Sequence, residues 1–478
     1  MNYPSLIYSE TPDNYKIDYA VFEDLKLTAL ISRDVLEAVS VPCSAGDILL
    51  RQEMFKSGPR QHLELLMEII TELHGLNEAF ETARSDAEKN YIFVSLMKQH
   101  MEFYKHAAQC ESPCVLYDRF VSFFNGELEK TQYQRIIYEL EKLYPFIDVI
   151  NSNVFKIHGE SLKISTDKTS VTLVSQLAEC AKSLGLSELG SELRISKKLC
   201  WNVVASILNK YPEYLKEFAE FYGTYKNYYI KDILNYKAEI GFYLEFWNLA
   251  DKIKRAGIPV TYPVISAEKK INITNAYDIT LFAKNETNII PNDINFTVTE
   301  PFFFLTGANG GGKTTYLRTI CVTVFMFING CPVACENGEI YPMRKIFAHF
   351  PRDERFENTG RFDEEQLRVQ NILDNFDKES LVLLNETYST TTEELAVEYT
   401  DKLAHTVYNS GAFGIYITHQ HGIDESDIPY LNVVVDRGDM NRRTYKVAKR
   451  RSEHGSYAVD VLKKYALTKE MLYERFKK

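Results

Sequence analysis

No two cysteines in this 478-residue chain are spaced C-x-x-C; the eight present, at 43, 110, 114, 180, 200, 321, 331 and 335, are scattered, and two pairs are spaced C-x-x-x-C. That pattern fits the reduced thiols of the cytosol better than a disulfide framework or a zinc site. Long apolar runs are missing too. Nowhere do about 18 apolar residues follow one another, and the start, Met1-Asn2-Tyr3-Pro4-Ser5, lacks a basic segment leading into an apolar one. A cytoplasmic protein with no membrane partner is expected. Positive charge is short as well, with 55 Lys and Arg against 66 Asp and Glu and a net charge of −11. That sign excludes non-specific coating of nucleic acid, so any such contact must come from a local patch. What remains is 45% hydrophobic and 25% charged residues, an ordinary globular composition long enough for two or three domains.

From about residue 20 to 255 the apolar residues step by three and four: Leu63, Leu66, Ile70 and Leu73; Tyr133, Ile136, Leu140 and Leu143; Ile233, Ile240, Leu244 and Trp247. These spacings predict amphipathic helices. The dense aromatics Phe218, Phe221, Tyr222, Tyr225, Tyr228 and Tyr229 at helical spacing read as packing between helices rather than as a platform for stacking bases. Around Val154 to Ile164 a loose alternation predicts a small hairpin between long helices.

At Gly257-Ile258-Pro259 and Pro263 the helical pattern stops, because proline removes an amide donor and disfavours helix in the residue before it. A domain boundary is expected there, giving an all-α domain at 1–257 and a second domain at 258–478. In the second, the apolar runs Phe302 to Thr306, Leu381 to Leu384, Phe413 to Thr418 and Leu431 to Val435 alternate with helices near 314–329 and 393–409. That alternation predicts an α/β domain with a largely parallel central sheet.

The first of these strands runs into Gly307-Ala308-Asn309-Gly310-Gly311-Gly312-Lys313-Thr314-Thr315, which satisfies GxxxxGK[ST]. Glycines let the backbone wrap a phosphate with its N–H groups inward, and the helix that follows aims its positive end at the anion. Lys313 is then expected at the β- and γ-phosphates of ATP and the Thr314 hydroxyl on Mg²⁺, with a chance glycine-rich turn as the plainer alternative. The strand Leu381-Val382-Leu383-Leu384 ends in Asn385-Glu386. Glu386 is the candidate to orient or deprotonate the attacking water, with an exposed strand-end carboxylate as the plainer alternative. Asn385 stands where an aspartate ordinarily serves the Mg²⁺ shell and brings no charge, so weaker metal binding is expected. A third strand ends in Thr418-His419-Gln420-His421, where His419 is a candidate sensor of the γ-phosphate or a structural histidine.

The order and wording of these pieces resemble the MutS family. Pro291-Asn292-Asp293, Thr306-Gly307-Ala308-Asn309, Gly311-Gly312-Lys313-Thr314-Thr315-Tyr316-Leu317-Arg318, Thr418-His419-Gln420-His421 and Gly455-Ser456-Tyr457-Ala458-Val459 read like its signatures, and Asp47-Ile48-Leu49-Leu50-Arg51-Gln52 looks like its core helices. The resemblance implies an ABC-type P-loop ATPase domain preceded by an all-α core and lever region. It also implies a homodimer with composite nucleotide sites, ATP and Mg²⁺ as cofactors, and DNA or another nucleic-acid structure as partner. The segment before residue 20 is too short for the family's mismatch-reading and connector domains and holds no Phe-x-Glu wedge, so ordinary mismatch reading is not expected, and neither is the endonuclease tail of the family's second bacterial class.

Departures from the pattern are specific. Gly360-Arg361 stands at the family's Ser-Thr signature, and the loop after Glu386, glycine-rich in the family, reads Thr387-Tyr388-Ser389-Thr390-Thr391-Thr392. Arg361 could act in trans as an arginine finger or pair on the surface with Asp363 or Glu364. Between Arg437 and Arg451 lie Arg437, Arg442, Arg443, Lys446, Lys449, Arg450 and Arg451 against a single acid, Asp439. Such a basic hairpin could meet phosphates, with a salt slope near −6 if all seven took part, or could be a solvated face that balances an acidic protein. Two functions remain in play: an ATPase whose nucleotide domains dimerise and grip DNA, or a nucleotide-switched scaffold for a protein or ribonucleoprotein that hydrolyses ATP slowly or not at all.

Overall fold

The structure is a computed structural model, and it describes residues 3–10, 15–151, 153–158, 161–166, 211–284, 288–350, 361–388, 393–418, 427–435 and 443–449. The chain divides into two compact units, Met1–Leu6 with Gly58–Gly241, and Ile7–Ser57 with Phe242–Lys478.

The first unit is built on the helices Arg60–Glu81, Asp86–Ala107, Val115–Leu128, Thr131–Asn151 and Pro212–Tyr225. Ser85 starts the second of these by accepting the Glu88 amide, a side-chain cap of the kind that sets helix N-termini. The stepped residues Leu63, Leu66, Ile70 and Leu73, and likewise Tyr133, Ile136, Leu140 and Leu143, are buried. The aromatics pack between helices as expected: Phe218 meets Tyr91, and Phe221 and Tyr222 meet Phe93 edge-on or tilted. Strands β1 (Asn153–His158) and β2 (Ser161–Thr166) form the antiparallel hairpin expected there.

The second unit carries two sheets. Strands β3 (Val264–Ile265), β4 (Ile271–Ala276), β5 (Asn292–Phe296) and β7 (Asn337–Ile340) make a four-stranded sheet in the order β3-β7-β4-β5. Strands β6 (Phe302–Thr306), β8 (Lys345–His349), β9 (Ser380–Asn385), β10 (Phe413–Ile417), β11 (Tyr430–Val435) and β12 (Arg443–Lys449) make a six-stranded sheet in the order β12-β11-β6-β10-β9-β8. All its neighbours are parallel except β11 and β12. Strands β9 and β10 are buried along their whole length, which is why they read as unbroken apolar runs rather than as alternation.

The helix Lys313–Ile328 follows β6, and nearly all its residues are buried. At its far end Asn329 is held by Arg51, which comes from the helix Ala45–Ser57. The Arg51 guanidinium donates to the Asn329 side-chain oxygen at 2.9 Å and to the Ile7 carbonyl at 2.6 Å, and it is fully buried. Among the described residues no helix is long and apolar enough to cross a membrane.

Candidate functional site

In parallel sheets of this kind the strands' carboxyl ends form the binding edge. Strand β6 lies inside the sheet, between β11 and β10, and β9 follows β10, so the ends of β6 and β9 are one strand apart. In register Leu305 pairs with Ile417 and Ile417 with Asn385, which brings the glycine loop, Asn385 and Glu386 to the same edge.

The loop is shaped for close backbone approach. Gly307 has φ +123°, and a Cβ there would lie 2.7 Å from the Asn432 side-chain oxygen and 3.1 Å from Val433. Gly312 has φ +96° and heads the helix, with the Tyr445 ring 3.2 Å from where a Cβ would be. Only glycine takes such angles without strain.

Lys313 curls back over the loop. Its ammonium donates to the Gly307 carbonyl at 2.9 Å, the Ala308 carbonyl at 3.3 Å and the Asn309 side-chain oxygen at 3.5 Å. Burial lowers its pKa from 10.5 to about 8; Glu386 acts against that shift and Arg443 adds to it. Among the described residues no anion lies at hydrogen-bond range of this lysine, which would gain by meeting one.

Asn385 is buried, and among the described residues its side-chain oxygen has no hydrogen-bond partner; nor has the hydroxyl of Thr306 at the end of β6. Buried polar atoms are normally paired, so unpaired oxygens at the binding edge fit a ligand shell. Thr314 and Thr315, the first residues of the helix after Lys313, are partly buried. Thr314 and Asn385 would offer neutral oxygen donors suited to Mg²⁺ that is held mainly through phosphates and water. Among the described residues no group of three or more His, Cys, Asp or Glu could hold a metal by itself.

The Pro291-Asn292-Asp293 segment anchors this edge. Tyr316, on the loop's helix, donates to the Asp293 carbonyl at 2.8 Å. The Asn292 carboxamide donates to the Tyr445 carbonyl and accepts the Val447 amide, both at 2.9 Å, which ties β12 down beside Gly312.

Residues 303–475 match MutS domain V. The chain is 30% identical over 167 residues to DNA mismatch repair protein msh-2 of Neurospora crassa, covering 34% of this chain and 18% of that protein. It is 27% identical over 228 residues to DNA mismatch repair protein MutS of Carboxydothermus hydrogenoformans, covering 44% and 26%. With endonuclease MutS2 of Bacillus cytotoxicus it shares 27% identity over 194 residues, covering 39% and 24%. The match ties this part of the chain, residues 303–475, to MutS domain V. The chain spans well under a third of the length of these relatives.

Against that MutS framework the unusual features stand out. The residue after Asn385 is left-handed without being glycine: Glu386 has φ +52°, and Tyr388 has φ +67°. Each such residue costs about 1–3 kcal/mol and persists only when its surroundings enforce it. The Glu386 amide donates to the Ile417 carbonyl at 3.0 Å. Thr387 is buried; its hydroxyl shares a hydrogen bond of 3.1 Å with His349 Nδ1, and its carbonyl accepts the Tyr416 hydroxyl at 2.8 Å. His349 and Tyr416 carried no sequence signal of their own, since each sits inside a strand without a motif.

The remaining expectations fall unevenly. His419 lies outside the described residues, as do Arg437, Arg442, Arg450 and Arg451. Arg361 begins the helix Arg361–Asn375, and its side chain lies outside the description. On β12, Lys446 donates to the Pro291 carbonyl and Lys449 pairs with Glu300, so two of the basic segment's cations are bound within the chain.

Proposed function

We propose that this chain is an ABC-type ATPase of MutS character in which ATP binding at the 307–315 loop drives dimerisation of nucleotide domains and moves the helical levers, so that the assembly grips a DNA structure. The observation that carries the reading is the buried Lys313 ammonium hooked onto its own loop, with Glu386 close enough to act on its charge. Backbone amides of Gly307 to Thr315 would cradle the phosphates and Lys313 would move onto the β- and γ-oxygens. Mg²⁺, when bound, would supply charge neutralisation for the phosphates. Thr314 and Asn385 would hold its shell, Glu386 would orient the attacking water and His419 would sense the γ-phosphate. The chain is proposed to work as a homodimer, with the Arg437–Arg451 segment as its nucleic-acid contact.

Asn385 favours a second reading, a nucleotide-switched scaffold for a protein or ribonucleoprotein that turns over slowly or not at all, because a neutral amide holds metal less firmly than a carboxylate. ATP turnover measured with and without duplex or branched DNA separates the two. DNA-stimulated hydrolysis supports the first, and ATP binding without hydrolysis under either condition supports the second. Absence of ATP binding overturns both.

A further inference from the structure

We propose that His349 and Tyr416 are positioning residues for Glu386, locking the backbone on its C-terminal side so that the carboxylate is held toward Lys313. This rests on the ATPase reading for the role of Glu386, and on the hydrogen bonds of β8, β9 and β10 for the lock.

The register builds the device. His349 on β8 and Tyr416 on β10 are both paired with Leu384 of β9, one from each side. Both side chains reach forward past Asn385 and Glu386 to the same residue, Thr387. His349 takes its hydroxyl and Tyr416 its carbonyl. The Tyr416 hydroxyl in turn shares a bond of 3.0 Å with Thr400 on the helix Glu393–Ser410, and Tyr416, Thr400, Thr387 and His349 are all buried. A hydroxyl has one proton to donate. With that proton on the Thr387 carbonyl, Tyr416 accepts from Thr400, and the chain of bonds runs in one direction into the loop.

Residue 386 is also bonded through its amide to Ile417 of β10. Residues 386 and 387 are thus fixed by neighbouring strands on both sides, while the φ angles of Glu386 and Tyr388 are ones that side-chain-bearing residues leave when released. A glycine-containing loop would need no such lock. Thr387-Tyr388 does, and buried hydrogen bonds with geometry this closed are the means by which a strained catalytic backbone is kept in place.

The test uses the full chain. Tyr416→Phe removes only the hydroxyl, His349→Leu removes the imidazole, and His349→Asn keeps a polar atom near the Nδ1 position. Steady-state ATPase rates and affinity for a fluorescent ATP analogue are measured for each, alone and combined with Glu386→Gln. Tyr416→Phe and His349→Leu are expected to lower kcat about tenfold to a hundredfold, the scale of a misplaced catalytic group, with nucleotide affinity unchanged within about twofold. His349→Asn should recover part of the loss, and neither variant should slow the Glu386→Gln chain further. An unchanged kcat, or an equal further loss in the Glu386→Gln background, overturns the proposal. Hydrogen exchange across 381–388 reads the lock without turnover: Tyr416→Phe should speed exchange at 386–388, and unaltered exchange there refutes it. A wild-type chain that binds ATP but does not hydrolyse it ends the hydrolytic reading, and the exchange measurement still decides the lock.

Discussion

Glu386 lies near enough to Lys313 for its charge to oppose the burial that draws the lysine pKa down to about 8. The two residues come from the ends of strands separated only by β10. Arg443, from β12, adds positive charge to the same neighbourhood.

ATP binding should therefore be sensitive to alkali. Only the charged lysine attracts the phosphates, so affinity is expected to weaken by about tenfold between pH 7 and pH 9 as Lys313 loses its proton. Isothermal calorimetry in two buffers of different ionisation heat would detect the accompanying proton uptake near pH 8. Glu386→Gln should move the onset to lower pH. The sign for folding is the reverse: between about 8 and the unfolded value near 10.4 the unfolded lysine binds more protons, so this group's contribution to stability rises with pH across that window.

Asn385→Asp should tighten the Mg²⁺ dependence of ATPase activity and raise kcat, because a carboxylate restores the negative charge the metal shell lacks. Turnover followed during a Mg²⁺ titration checks this. A slower enzyme would mean that the amide makes a contact the acid cannot replace.

Gly307→Ala should weaken ATP binding by about tenfold or more and lower the melting temperature, through about 1–3 kcal/mol of backbone strain and a clash with Asn432. Adding Asn432→Ala should recover part of the thermal loss but not the strain. Equal melting curves for wild type and Gly307→Ala would contradict the left-handed turn.

Salt dependence of DNA binding tests the basic segment. Lys446 and Lys449 already bond to Pro291 and Glu300 and Arg443 is engaged within the chain, so the remaining four cations set an expected slope of log affinity against log salt no steeper than about −3.6 on duplex DNA. Fluorescence anisotropy between 50 and 200 mM salt measures it; a slope near −6 would require those three cations to leave their partners.

Much of this was legible in the residues because the signals were local. The loop, its strand and its helix carry a spacing that predicts a phosphate cradle, and β9 and β10 announce themselves as apolar runs. The second sheet was not legible: Ile271–Ala276 and Asn292–Phe296 carry polar residues on one side and short lengths that periodicity cannot separate from loop. The packing of Ile7–Ser57 with the C-terminal half was equally hidden, since a contact such as Arg51 with Asn329 spans hundreds of residues and leaves no periodic trace. The lock on Thr387 depends on register across three strands, which sequence spacing does not encode.

The helix that begins at Lys313 and ends at Ile328 is 16 residues, a stiff rod about 24 Å long. One tip carries the lysine of the glycine turn, and just past the other, Asn329 is gripped by the buried guanidinium of Arg51. Close packing along its whole flank leaves it little freedom to bend, so the glycine turn and the Arg51 grip sit at the two ends of one rigid strut.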